Sequence, residues 1–226
     1  FAQAIKTPLL LGTLRYENKN YYNSAVLFSD RGYIVQYYDK LHLVPFGEYI
    51  PLRKYLRFLE TIVPVGDFAA GKEYKIFEVK NEKLKTKSYF AVLICFEDIF
   101  PELSRQFAKQ GVDFLVNITN DAWFGKTAAA YQHLQSSIFR AVENRLPLIR
   151  SANTGISGFI SSRGKILSLV KDASGKNIYI SGSATQEITL PGKRNLSFYT
   201  RFGDLFVLWC LFIVLMTLTF KIKMRS

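Results

Sequence analysis

The stretch Ala91-Val92-Leu93-Ile94-Cys95, continued by Phe96-Glu97-Asp98, decides the fold class. A short, wholly apolar run that stops at a polar corner is the pattern of a strand covered on both faces. Residues 114–118 repeat the pattern. A helix is expected after each, at 101–110 and 126–144; the second carries Leu134, Ile138, Phe139 and Val142 near helical spacing. Strands are expected at 7–15, 24–29, 34–38, 75–79, 87–94, 114–119, 148–152, 158–161 and 179–185, several of them rich in β-branched and aromatic residues. Arg31-Gly32, Ser162-Arg163-Gly164 and Ser174-Gly175 mark turns. Strands alternating with helices make the class α/β, in four αββα layers if two sheets pack together.

The 226 residues include 30 Lys+Arg against 18 Asp+Glu, a formal charge of +12, with 49% hydrophobic and 15% aromatic residues. That much apolar material excludes intrinsic disorder. Two cysteines, Cys95 and Cys210, exclude a disulfide scaffold. The basic residues are scattered, with small clusters at 53–57, 80–87 and 221–225, and no zinc-finger, helix-turn-helix or RNA-binding signature accompanies them. A nucleic-acid partner is therefore not expected. No Cys/His cluster has metal-ligand spacing, and no cofactor is expected. The chain opens on Phe1 without a charged and then apolar leader, so no signal peptide is expected.

One segment stands apart. Residues 205–220, LFVLWCLFIVLMTLTF, hold no charge, Gly or Pro. Arg201 and Asp204 precede them; Lys221, Lys223 and Arg225 follow. A helix apolar on every face and closed by a basic tail predicts a transmembrane anchor rather than a core helix. The organisation expected is a domain over 1–204, a transmembrane helix over 205–220 and a basic cytoplasmic tail over 221–226. Cys210 then reads as a small apolar residue.

Cys95 closes its strand, where α/β proteins place reactive groups; a buried structural cysteine is the plain alternative. A thiolate nucleophile needs a nearby cation or base. Lys40 follows a strand-like run, and Glu48 lies eight residues further on, beyond the loop shaped by Pro45 and Gly47. Such a lysine favours a thiolate and steadies an oxyanion in acyl transfer, unless it is an ordinary solvated lysine. His42 and His133 are expected in structural or loop roles. The segment from Asn117 to Gly125 leaves a strand end as a polar and aromatic loop carrying Asn120, Trp123 and Phe124. It suits the wall of a pocket or a plain strand-to-helix connection.

Together these stretches resemble the nitrilase, or carbon–nitrogen hydrolase, superfamily, and within it the branch of apolipoprotein N-acyltransferases. The resemblance runs in order through YDKLHLVPFGEYIP at 38–51, LICFEDIFPE at 93–102, NITNDAWFG at 117–125, QHLQ at 132–135, RAVENRLPLIRSANTGIS at 140–157 and YTRFGD at 199–204. It implies a nitrilase-like αββα sandwich followed by one C-terminal transmembrane helix. It implies Cys95 as nucleophile, Lys40 as the oxyanion-stabilising lysine, the Phe96 N–H as a second oxyanion donor and Glu48 as a supporting carboxylate. Glu97, Asn120, Trp123 and Phe124 are implied around the acyl pocket.

The reaction implied moves an acyl chain from a phospholipid, through a cysteine thioester, to the α-amine of the lipidated N-terminal cysteine of an apolipoprotein. The setting implied is a monomer in a bacterial inner membrane, with the catalytic domain periplasmic and the C-terminus cytoplasmic. Arg53, Lys54 and Arg57 would face lipid headgroups. The family's general-base Glu lies upstream of the stretch matching 7–15, so the resemblance implies a C-terminal fragment with little transferase activity of its own. Two other readings stand beside this one: a membrane-anchored nitrilase-like amidase, and a non-catalytic binding module.

Overall fold

The computed structural model describes residues 1–52, 67–81, 86–192 and 196–223. After a short helix α1 (Ala2–Ile5), three strands form an antiparallel sheet in the order β1 (Leu9–Glu17), β2 (Asn20–Phe28) and β3 (Ile34–Asp39). The turn between β1 and β2 is tight because Asn18 and Lys19 both take positive φ, at 49° and 62°. Gly12, Ala25 and Tyr38 lie side by side on the inward face of this sheet. On the other face Arg15 lies over the rings of Tyr22 and Tyr37 and pairs with Asp39.

The second sheet has six strands in sequence order: β4 (Phe77–Asn81), β5 (Thr86–Ile94), β6 (Phe114–Asn120), β7 (Leu148–Asn153), β8 (Gly158–Ile160) and β9 (Ile166–Leu169). β5, β6 and β7 run parallel, and the flanking pairs are antiparallel. Phe77, Phe90 and Phe114 sit opposite one another on β4, β5 and β6 and stack at 5.1 and 5.0 Å. Cross-strand aromatic pairs of this kind pin register.

Residues Phe90 to Ile94 are all buried, because β5 is covered on both sides. Ala25, Leu27 and Tyr38 of the small sheet share its core. The helices α2 (Pro101–Lys109) and α3 (Ala129–Asn144) pack against each other and contribute Leu103, Phe107, Leu134 and Ala141. Pro101 opens α2 where its missing N–H is harmless. The α/β class is therefore present, with two sheets and a helical layer. A second helical layer outside the small sheet is not among the described residues.

Eight of the nine expected strands are present. The ninth, at 179–185, is not a strand: Tyr179 takes a φ of 54° and gives its N–H to the Thr154 carbonyl, which breaks the extended chain before a ladder can start. β9 was not foreseen; it is four residues long and pairs only with the three-residue β8.

Past residue 195 the chain forms α4 (Phe198–Phe202) and α5 (Leu205–Lys223). Arg105 of α2 donates to the carbonyls of Tyr199 and Thr200 and so ties α4 to the domain. Every side chain of α5 from Leu205 to Phe220 is exposed. Among the described residues no helix is long and apolar enough to cross a membrane. The uncharged run 205–220 rises only about 24 Å, short of a hydrocarbon core of ~30 Å. The expected headgroup cluster of Arg53, Lys54 and Arg57, and the tail residue Arg225, lie outside the described residues.

Candidate active site

The carboxyl ends of β5, β6 and β7 meet the inward face of the small sheet around an open pocket of about 700 Å³. Open α/β sheets present their strand ends to ligands in this way. Cys95, Lys40 and Glu48 all line the pocket. So do Phe96, Asn120, Trp123 and Phe124, whereas Glu97 does not. Leu10 and Leu14 give it an aliphatic wall, and Trp123, three-quarters exposed, stands at its rim.

Cys95 is the first residue after β5 and opens a tight turn that runs to Ile99. Its φ is 53°, the left-handed region that favours glycine and costs another residue about 1–3 kcal/mol. The thiol is half-buried. A strained corner at a strand end lifts a side chain clear of the sheet, which suits a nucleophile.

Lys40 follows β3 and is 1% exposed. Its Nζ lies 2.7 Å from Oε2 of Glu48. A buried ammonium needs such a partner. The loop from Val44 to Glu48 folds back so that the Val44 N–H also donates to Oε2, at 2.7 Å, and Asn23 of β2 donates to Oε1, at 2.8 Å. Both oxygens of Glu48 are thus occupied, which makes it a holder of Lys40. Gly71 crosses directly over this corner: a Cβ there would sit 2.2 Å from the Asp39 carbonyl oxygen.

Glu97 is a correction to the expectation of a pocket residue. It is fully buried and accepts hydrogen bonds from the N–H groups of Leu41, His42 and Ile94 and from the Tyr38 hydroxyl. It therefore fastens the lysine-bearing loop to the cysteine-bearing turn. Burial is the largest influence on its carboxyl and pushes it up to about 7, against those hydrogen bonds.

Asn120 ends β6, where its side chain accepts from the Ala122 N–H and from Nδ2 of Asn153. Phe96 packs against Phe124 and against the ring of His133. His42 stacks on Phe100. His133, expected to be structural, is buried between Asp98 and Asp121, at 2.8 and 2.9 Å. Burial opposes its charge, but hydrogen bonds to Asp121 and Asp98 prevail and raise its pKa. Asp121 moves the other way: burial is outweighed by His133 and Arg150, and its pKa falls.

Asn23, Asn117 and Arg150 were not foreseen. Asn117 and Arg150 are buried polar residues that follow apolar runs, Phe114–Val116 and Leu148–Ile149, and that mismatch is the available signal; Asn23, in the polar half of β2, offers none. Among the described residues no group of three or more His, Cys, Asp or Glu is arranged to hold a metal ion.

Residues 1–184 match the family model described as carbon-nitrogen hydrolase. An apolipoprotein N-acyltransferase of Geobacter metallireducens is 42% identical over 218 residues, covering 92% of this chain and 38% of that protein. Apolipoprotein N-acyltransferase 2 of Treponema denticola is 36% identical, covering 97% of this chain and 40% of its own. The chain thus spans about two-fifths of the length of these curated relatives. Among solved structures, a carbon-nitrogen hydrolase from Helicobacter pylori G27 superposes with a TM-score of 0.55 at 20% identity, covering 74% of this chain and 59% of that one. At that identity the likeness concerns the fold.

Proposed function

The chain belongs to the carbon–nitrogen hydrolase family, and we propose that it carries the catalytic centre of an apolipoprotein N-acyltransferase. The observation that carries this reading is the pocket, in which a strand-end cysteine and a buried, carboxylate-held lysine face an aliphatic wall open to the surface. An amidase for small polar substrates has no need of Leu10 and Leu14 along its pocket; an acyl chain does.

In this reading the Cys95 sulfur attacks the carbonyl of a phospholipid ester. The negative charge that develops on the carbonyl oxygen is met by Lys40 and by the Phe96 N–H. The C–O bond breaks, the lysophospholipid alcohol leaves with a proton, and the acyl group remains as a thioester on Cys95. The α-amine of a lipidated N-terminal cysteine then attacks the thioester, the amide forms, and the thiol is regenerated. Glu48 does not serve as the base here, because both its oxygens are engaged in holding Lys40. It is the only carboxylate among the described residues that line the pocket.

The lipid substrates place the protein at a bacterial membrane, with α5 seated in the bilayer. The apolar faces of α5 support this, since Leu205 to Phe220 are exposed all round. The short uncharged run is accommodated by local thinning and by Lys221 reaching to the interface. The basic end is cytoplasmic by the positive-inside rule, with the catalytic domain on the periplasmic side.

The test is incubation of the full-length protein that contains this chain with a phospholipid labelled in its acyl chain, followed by detection of a hydroxylamine-sensitive label on the protein. The label is expected on wild type and absent from Cys95→Ser. Labelling of Cys95→Ser, or release of free fatty acid with no transfer to a lipopeptide amine, overturns the assignment.

A further inference from the structure

Below Cys95 lies a group of buried polar residues that the reaction does not use. Arg150 of β7 is 2% exposed, and Asp98, Asp121 and Asn117 are 0–1% exposed. Arg150 donates to Asp98 and Asp121, at 3.1 Å each, and to the Ile156 carbonyl. It also donates to Oδ1 of Asn117, at 2.6 Å. Because a guanidinium only donates, this contact fixes which way the Asn117 amide points. Its Nδ2 then donates to the Leu93 carbonyl, at 3.1 Å, and to the Cys95 carbonyl, at 3.0 Å.

The Cys95 carbonyl and the Phe96 N–H belong to one planar trans peptide, in which they point in opposite directions. A hand that grips the carbonyl from beneath therefore turns the N–H away from Asn117. A buried ion network of this kind adds little to stability compared with an apolar core, so its value lies in the geometry it specifies.

Resting on the acyl-transfer reading above, we propose that Asn117, oriented by Arg150, is a positioning residue that aims the Phe96 N–H at the oxyanion by holding the Cys95 carbonyl.

Acylation develops an oxyanion and alkylation does not, so the two reactions of one thiol separate this role from general damage. The intact protein and its Asn117→Leu and Arg150→Lys variants are to be compared for Cys95 alkylation by iodoacetamide and for acylation by a p-nitrophenyl ester and by phospholipid. Thermal melting reports folding. In Asn117→Leu, alkylation is expected to hold while the acylation rate constant falls on the order of 10²-fold with KM little changed. Arg150→Lys, which keeps the charge but loses the fork, is expected to fall less.

Acylation of Asn117→Leu at the wild-type rate overturns the proposal, as does a parallel fall in both reactions. If Asn117→Leu does not fold, Arg150→Lys is compared in its place: slowed acylation with intact alkylation supports the proposal, and any other pattern overturns it. A wild type acylated by the p-nitrophenyl ester but not by phospholipid would sink the lipid donor while leaving the Asn117 split readable. A wild type acylated by neither removes both.

Discussion

Lys40 could not be told from a solvated lysine by its sequence, because a lone basic residue after a strand carries no sign of its burial. Its 1% exposure and its 2.7 Å contact with Glu48 settle that it is held. Lys40→Ala is expected to lower thioester formation on the order of 10²-fold or more if it meets the oxyanion. Glu48→Gln should cost less, since its amide oxygen can still accept from Lys40 and the Val44 N–H while a turned Asn23 amide accepts from the new NH2; equal activity of Lys40→Ala and wild type in the labelling assay removes Lys40 from the reaction. Glu97 titrates with the opposite lesson, that a carboxylate beside the nucleophile in sequence is spent on structure. Its ordinary value is 4.5 and burial carries it to about 7. Between those values the folded chain binds the proton more tightly than the unfolded one. The stability this group contributes is therefore greatest at the acid end and is lost as pH rises through about 7. Denaturant unfolding at about pH 6 and about pH 8 should show wild type losing on the order of 1 kcal/mol relative to Glu97→Gln. Identical pH slopes in the two proteins would refute it.

At the scale of elements, β5 and β6 were legible because a strand buried on both faces must be apolar throughout, and residues 90–94 and 114–116 are. Helices α2 and α3 were legible from Pro101 and from the spacing of Leu134 and Ile138. β9 was not, since four residues at a sheet edge leave no periodicity to read. The false strand at 179–185 has β-like composition but no neighbour offering a ladder, and strand formation depends on that neighbour more than on propensity. Asn117 and Arg150 were visible as residues and not as partners: nothing in a linear sequence says that an arginine at one strand end reaches an asparagine in the next strand. The β6–β7 register brings them together, with Asn117 directly opposite Arg150; the stacked Phe77, Phe90 and Phe114 pin β4, β5 and β6 and so place Cys95. A one-residue slip of β5 would turn its whole buried set over and move Cys95 off the pocket. Phe90→Ala should therefore destabilise by about 3–5 kcal/mol in urea unfolding. Phe90→Leu should destabilise less but still slow thioester formation by loosening register. A Phe90→Leu protein with unaltered acylation would show that the ladder supplies stability alone.

At the scale of the whole molecule, the domain and α5 treat their apolar residues differently. The domain buries an apolar core around two sheets, whereas α5 exposes its apolar residues from Leu205 to Phe220. A helix with Leu, Phe, Ile and Val on every side has no face to turn toward a protein core and another toward water. Arg105 fixes where this helix leaves the domain, by holding the carbonyls of α4. The joint is tied to the domain that carries the pocket, so a bilayer taking up α5 would set the height at which Leu14 and Trp123 meet lipid. Three outcomes follow for the chain with liposomes. Wild type should float with the vesicles and resist alkaline carbonate. Leu211→Asp, at the centre of the run, should lower that association on the order of 10²-fold, because a carboxylate there costs about 3 kcal/mol on insertion. Arg105→Ala should leave flotation unchanged yet reduce acylation from phospholipid more than from a soluble p-nitrophenyl ester, since it frees the joint without touching the pocket. Flotation of Leu211→Asp equal to wild type would place α5 on a protein surface instead. An equal fall with both esters in Arg105→Ala would mean that the joint supports the fold and does not set the height of the pocket.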